Sequence, residues 1–500
     1  MNTKTLCILA LASAMSAGMT AKNYYASPSG TSAGNGSKEN PYNFSTALGK
    51  LASGDSLFLR GGQYDFTAEV AIKCAGTAKA RTFIGAYPGE TPVFDFRKEP
   101  HDKNGVSLKG DYIHIKGITI RYAGYKGLLN YNSYNVMEQL TAYGNCDSGI
   151  QQKGGKSNLI LNCDSHDNFD FETGSITAAD FGGNADGFAD KQYTNSPGNT
   201  YIGCRSWHNS DDGWDFYQRV GGTTVFKDCI CFQNGPSEYD LSNYPRLTTD
   251  ADFLSQFAGD GITITNTGGT SLTCSLKHFY NNGNGNGFKL GGNSTKHDAS
   301  LYRCLSVGNK VKGFDQNSNA GAMTIYNCTA YLNGSNYGFY NNNGYSLDIR
   351  NCISHSSKGS NSFSGSSITQ SHNTWNSGYT VSDADFVSLD TTIILAPRQA
   401  DGSLPESTLL HLKSTSKLID AGQLLDSITY IGTAPDLGCY EYGATTGIAQ
   451  ITATDTFAPT ASVFNLQGMY LGQLADFQKD AHSHSIYIVR DGRNIRKIIL

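Results

Sequence analysis

The feature that most constrains this chain is a cysteine–asparagine frame that returns every 24 or 25 residues: Cys204 and Cys229 stand 25 apart, while Cys304, Cys328 and Cys352 stand 24 apart. An asparagine follows nearly every such cysteine at the fifth position, as in Cys163/Asn168, Cys204/Asn209, Cys229/Asn234, Cys304/Asn309 and Cys328/Asn333. The frame continues with the cysteine replaced at Leu140/Asn145 and Lys277/Asn282. A glycine and an apolar residue come next, at Gly149-Ile150, Gly213-Trp214, Gly287-Phe288, Gly313-Phe314 and Gly338-Phe339. Gly187-Phe188 and Gly261-Ile262 fit the same place after longer insertions.

Short β-rich runs, turns at fixed offsets and no helical periodicity are what the stacked coils of a parallel β-solenoid require, since each coil buries its inward face only against its neighbours. Leucine-rich repeats share the period but need a leucine frame that is absent. Composition agrees: 57 Gly, 29 Tyr and 24 Phe with only 16% charged residues favour a turn-rich β protein. Equivalent residues in such a stack lie about 4.8 Å apart. The cysteines are therefore expected as an internal column of free, buried thiols, and the asparagines as a ladder of side-chain amides. Disulfides are the alternative in an exported chain with 12 cysteines, but Cys229 and Cys231 lie too close along one strand to pair.

Residues 1–21 carry Lys4, an apolar run from Leu6 to Met19 and small residues before Lys22, the pattern of a cleaved secretory signal. No later apolar run is long enough to span a bilayer, so a secreted monomer is expected. Around Ser45–Ala52 a short helix is expected, within a stretch from Lys22 to Tyr64 that resembles the N-terminal cap of secreted β-helix polysaccharide enzymes. Asp420-Ala421-Gly422 and Pro435–Gly443 resemble a closing coil, which bounds the solenoid domain at about 22–445. Residues 447–500 lose the repeat and read as a small β-rich module for sorting or attachment.

A formal net charge of -5, with no basic face, argues against a nucleic-acid partner. An acidic polymer can still be bound where a cation mediates. Side chains alternate faces along a strand, so if Trp214, Phe288 and Phe314 point inward, then Asp212, Asp215, Lys289 and Asp315 point outward on one sheet. Asp186 precedes Gly187 as Asp212 precedes Gly213, which stacks these carboxylates on neighbouring coils with Asp211 and Asp215 beside them. Such a cluster repels itself unless a hard divalent cation with oxygen ligands neutralises it, and calcium tolerates the irregular geometry of a solenoid face. Against this stands the frequency with which Asp and Asn merely decorate β-helix turns. Counting coils from the repeat puts Lys289 two coils beyond Asp215, about 10 Å away.

The segments Asn184–Phe188, Asn209–Asp215 and Gly285–Asn293 resemble polysaccharide lyase family 9. That resemblance implies a right-handed parallel β-helix, calcium held by Asp186, Asp211, Asp212 and Asp215, and Lys289 as the base of a β-elimination on polygalacturonate or rhamnogalacturonan I. A lysine base implies an alkaline pH preference. Lys191, Arg219 and Lys312 are candidates for gripping further uronate carboxylates, whereas His166 and His208 read as turn residues. The loop Gly235–Gly259, with Tyr239, Tyr244, Arg246 and Phe253, matches no motif and is a candidate for substrate choice. Two other classes stay open: a pectin hydrolase using the Asp211–Asp212 pair, which would need no metal, and a non-catalytic carbohydrate-binding or adhesin solenoid.

Overall fold

A computed structural model describes residues 21–170, 181–194, 197–246, 251, 262–265, 271–275, 279–340, 344–365 and 367–443, together with strands at 462–464, 470–473, 486–491 and 494–499. Residues 1–20 of the proposed leader, and Phe253, lie outside them. Three long parallel sheets of 12, 10 and 10 strands run the length of the molecule, and each coil visits the first, second and third sheet in turn. The chain is an all-β, right-handed parallel β-helix.

Each coil makes the corner from the first to the second sheet with one left-handed residue, such as Asn162 (φ 53°), Asp228 (φ 53°) or Asn327 (φ 51°). The repeating cysteine follows that residue and points inward; Cys163, Cys204, Cys229, Cys304, Cys328 and Cys352 all join the solenoid core. Eleven described cysteines are free, and Cys74 alone among them is not buried. A second left-handed residue, for example His208 (φ 52°) or Gln233 (φ 47°), makes the corner into the third sheet. The asparagine comes straight after it. Asn145 Nδ2 donates to Asn168 Oδ1 (2.8 Å), Asn168 to Asn209 (2.8 Å), Asn209 to Asn234 (2.9 Å), Asn234 to Asn309 (3.0 Å) and Asn309 to Asn333 (2.9 Å). Beneath the third sheet, Phe188, Trp214, Phe288, Phe314 and Tyr337 stack with ring centroids 4.7, 4.9, 5.1 and 5.1 Å apart.

The helix Phe44–Lys50 begins at Asn43, whose side chain accepts from Thr46 N at 2.9 Å. It closes the open N-terminal end by setting Phe44 against Phe66 and Phe94, at 5.5 and 5.0 Å between centroids.

Three expectations are corrected. The repeats expected at Lys277/Asn282 and Gly261-Ile262, of which Lys277 and Gly261 lie outside the described residues, add no coil to the described sheets: Ile262–Thr265 pairs antiparallel with Ser271–Cys274, Glu238–Tyr239 pairs antiparallel with Phe279–Tyr280, and the strand Ile230–Phe232 is followed on the second sheet directly by Leu305–Val307. The whole segment is one excursion between Gly235 and Gly285. These two glycines (φ 68° and 59°) meet so closely that a Cβ on Gly235 would lie 2.4 Å from the Gly285 Cα. Lys289 is consequently one rung from Asp215, paired with it in register, rather than two. The motifs around Asp420 and Pro435 do not close the far end either. Leu418, Leu437 and Cys439 pack with Leu409 and Leu412 on the outer face of the second sheet, against Phe232, Leu305, Val307 and Ile353. That face is apolar on its outside as well, which an alternation reading takes for solvent.

Strands Ser462–Phe464, Tyr470–Gln473, Ile486–Asp491 and Asn494–Ile499 form a separate four-stranded antiparallel sheet.

The thiol column is checked by titration: all 11 described cysteines are expected to react in denaturant without reductant, and Cys74 alone in the native protein. A lower denatured count would mean disulfides. Asn209→Ala should destabilise by about 2–3 kcal/mol in chemical denaturation, because it removes the partner of the buried Asn168 N–H and Ser165 carbonyl on the preceding coil.

Candidate active site

Three carboxylates come together on the outer face of the third sheet. Asp186 and Asp212 sit two residues ahead of the inward rings Phe188 and Trp214, which are register partners, and Asp215 follows Trp214 outward. Oxygens of Asp186, Asp212 and Asp215 all lie within 4.8 Å of one another. Asp186 and Asp212 are fully buried, with Asp211 and Asp215 nearly so. Lys289 Nζ lies 2.8 Å from Asp212 Oδ2 and 3.2 Å from Asp215 Oδ1. Lys191 Nζ lies 3.1 Å from Asp186 Oδ2 and 2.7 Å from Asp215 Oδ2.

Neutral donors hold the same carboxylates. Ser148 Oγ donates to Asp186 Oδ2 at 3.1 Å, and the backbone N–H of Tyr217 donates to Asp215 Oδ1 at 2.9 Å. Asn286 donates to Asp212 Oδ1 through both its backbone N–H (2.7 Å) and its side-chain amide (2.8 Å). Asp211 turns toward the neck of the excursion, where its Oδ1 accepts from Asn284 N (2.8 Å) and Gly285 N (3.4 Å). It borders the trio without sharing their cluster of ligand atoms.

The electrostatics follow from burial. Loss of hydration pushes the Asp186 carboxyl well above its ordinary value, with Asp215, Asp211 and Asp212 adding to it against Lys191. Burial, reinforced by Asp212, pushes Asp211 up to about 8. Asp215 behaves oppositely: burial would raise it, but Lys191 and Lys289 together hold it below the usual carboxylate range. Burial would lower the Lys289 ammonium, yet Asp212 and Asp215 outweigh it and keep the proton on well above the ordinary lysine value. Lys191 is held protonated in the same way by Asp186 and Asp215.

Four carboxyls thus face two ammoniums in a site nearly closed to water, two more acid groups than bases. The donor set is oxygen only. Those residues fit a hard divalent cation, and calcium in particular.

Other predicted site residues fall elsewhere. Lys191 belongs to the carboxylate cluster, not to a rim that could grip a distant uronate. Arg219 is corrected outright: it is fully buried inside the solenoid, ion-paired with Asp190, so no polymer can reach it. Lys312 lies on the outer face, with its Nζ 3.2 Å from Asp315 Oδ1 and 3.0 Å from Tyr340 Oη. His166 is stacked between Tyr143 (5.1 Å) and Trp207 (4.2 Å) on the second sheet. From the unplaced loop, Tyr239 and Tyr244 donate their hydroxyls to the His208 and Asp167 carbonyls, and Arg246 Nη1 donates to the Phe96 carbonyl at 3.3 Å. Ser148 and Asn286 were not foreseen as members of the site; their signal was the same two-residue offset before the inward residue that marked Asp186 and Asp212.

The chain matches the family described as the Pel9A-like, right handed beta helix region over residues 24–252 and 253–361. It is 34% identical over 440 residues to pectate lyase L of Dickeya dadantii (strain 3937), covering 84% of this chain and 91% of that protein. With pectate lyase L of Paenibacillus polymyxa (strain SC2) it shares 31% identity over 436 residues, 82% of this chain and 85% of that one. The crystal structure of pectate lyase Pel9A superposes with a TM-score of 0.70 at 34% identity, covering 85% of this chain and 97% of that chain. A rhamnogalacturonan lyase shares the fold, with a TM-score of 0.64 at 22% identity over 79% of this chain and 97% of its own. The chain therefore belongs to the Pel9A-like right-handed β-helix family, the pectate lyases of polysaccharide lyase family 9 that its motifs resemble, and is a polysaccharide lyase.

Proposed function

We propose that the protein is an exported, calcium-dependent lyase that cleaves galacturonate-containing pectic polymers by β-elimination, with Lys289 as base and Asp186, Asp211, Asp212 and Asp215 as the cation's ligands. The observation that carries this reading is a set of four buried carboxyls against two lysines, one of them the outward Lys289. The names of the relatives, pectate lyases at 31% and 34% identity, support the substrate class. The apolar run Leu6–Met19 supports export. Both the metal-free hydrolase and the non-catalytic scaffold give way to membership in a lyase family.

Calcium, when bound, supplies the positive charge that neutralises the C6 carboxylate of a galacturonate and so acidifies its C5 proton. Lys289 Nζ stands one rung from Asp215, close enough for a sugar lying over the cluster to present that proton to it. Asp212 and Asp215 hold the ammonium form of Lys289, and a cation held by these carboxylates would weaken that hold. The neutral amine form of Lys289 removes the C5 proton, the C5–H electron pair becomes the C4=C5 double bond, and the C4–O bond breaks with its pair on the glycosidic oxygen, which takes a proton from water, leaving a 4,5-unsaturated uronate end. Asn286 and Ser148 keep Asp212 and Asp186 aimed outward throughout.

The decisive experiment follows ultraviolet absorbance on polygalacturonate and on rhamnogalacturonan I, each with calcium and with excess chelator. A calcium-dependent rise is expected, abolished by chelator, restored by added calcium and reduced by about three orders of magnitude or more in Lys289→Ala. New reducing ends without absorbance would refute the elimination. The pH dependence has a definite sign. A protonated Lys289 is inactive, so kcat/KM should climb by about tenfold per pH unit on the acid limb and peak on the alkaline side. An optimum near pH 5 would exclude a lysine base.

A further inference from the structure

The third sheet carries two exposed aromatic rings at equivalent register on either side of the base. Tyr217, Gly291, Asn317 and Tyr340 each stand three residues after the inward rings Trp214, Phe288, Phe314 and Tyr337, which pair in sequence along the sheet. Tyr217 is 41% exposed and Tyr340 44%, while Gly291 is buried and Asn317 half-buried between them. Three rungs separate the two rings, about 14 Å. Lys289 stands on the rung next to Tyr217, between the two rings.

Neither wall stands there by accident of a variable surface. The Tyr217 ring lies against Gly292, where an added Cβ would come within 2.4 Å of its Cδ2. Gly291 lies flat on the Asn319 turn, where a Cβ would meet the Asn319 Cβ at 2.5 Å. The Asn317 side chain lies on the rung beyond Gly291, its Nδ2 donating to the Gly291 carbonyl at 2.9 Å. At the far end Tyr340 is anchored through its hydroxyl by Lys312 Nζ at 3.0 Å, with the Lys312 ammonium 4.8 Å from the ring centroid. The Tyr217 N–H is already committed to Asp215, so backbone and ring of one residue serve the carboxylate cluster and the trough respectively.

We propose that Tyr217 and Tyr340 wall a trough that seats pyranose rings of the substrate, Tyr217 packing against the sugar whose C5 faces Lys289 and Tyr340, with Lys312, closing the far end. An aromatic face matches the apolar C–H face of a pyranose, and its rigid ring loses little freedom on contact. The trough length holds about two sugar rings. This assignment rests on the pectic-lyase reading and adds the residues that position the polymer for it.

The test compares wild type, Tyr217→Ala, Tyr217→Phe and Tyr340→Ala for kcat and KM on polygalacturonate and rhamnogalacturonan I, and measures calcium binding of each protein by calorimetry with calcium chloride alone. Tyr217→Ala should lower kcat/KM by about tenfold and Tyr217→Phe should recover most of the loss, since the ring and not the hydroxyl makes the wall. Tyr340→Ala should act chiefly through KM. Calcium affinity should be the same in all four, because the N–H that serves Asp215 belongs to the backbone. If Tyr217→Ala matched wild type, or lost calcium affinity in parallel with activity, the trough would be overturned while the lyase reading stood. A wild type that cut neither polymer would overturn both.

Discussion

The asparagine ladder is the interaction on which the rest of this molecule depends. A parallel solenoid has no long-range pairing to hold one coil in register with the next beyond its own strand hydrogen bonds, and its corners leave backbone donors and acceptors that a straight strand would satisfy. Each asparagine answers both needs at the corner between the second and third sheets: its Oδ1 accepts the backbone N–H and the side-chain amide of the asparagine one coil earlier, and its own amide passes on to the next. The continuity is not interrupted by the long excursion, since Asn234 reaches Asn309 directly. Because the third sheet starts a few residues after this corner, the ladder sets the level at which each outward residue of that sheet appears. Asp186, Asp212 and Lys289 are neighbours for that reason, though 103 positions of chain separate the first from the last.

Given that placement, the cluster is an electrostatic conflict kept in check. Carboxylates taken out of water lose far more hydration than two lysines return, and the imbalance appears as raised proton affinity at Asp186 and Asp211 beside a lowered one at Asp215, which alone touches both ammoniums. The same imbalance, in a donor set of oxygens alone, fits a doubly charged, oxygen-seeking ion. Two lysines share the cluster: Lys191 spans Asp186 and Asp215, whereas Lys289 spans Asp212 and Asp215.

Much of the architecture was legible because the repeat is written in residues with a geometric job. Cysteine marks the inward position after the first corner, asparagine the position after the second, and the glycine–aromatic pair the start of the third sheet. The four aspartates and Lys289 could be read off that frame and the motif resemblance. Coil counting failed where Lys277/Asn282 imitated the frame by chance inside the excursion, which doubled the distance assigned to Lys289. Arg219 misled because a charged residue beyond a strand usually faces water, while here Asp190, inward in the core, supplies the counter-charge that draws it in. The docking of residues 383–443 on the second sheet was invisible, because apolar outward residues such as Ile230 and Phe232 announce a cover without saying which segment provides it.

The paired glycines at 235 and 285 give the excursion an unusual topological status. Since its two ends meet, the solenoid passes from one coil to the next as though the intervening chain had no length, and no strand register depends on how many residues lie outside the neck. Segments of different size and shape can therefore be exchanged at that point in the course of divergence, each presenting a new surface beside an unchanged catalytic rung. The exchange has one boundary: Asn284 and Gly285, on the returning limb, hold Asp211 through their N–H groups. A transplanted loop must bring back those last residues in the same conformation, so the neck works as a socket whose rim is already part of the chemistry.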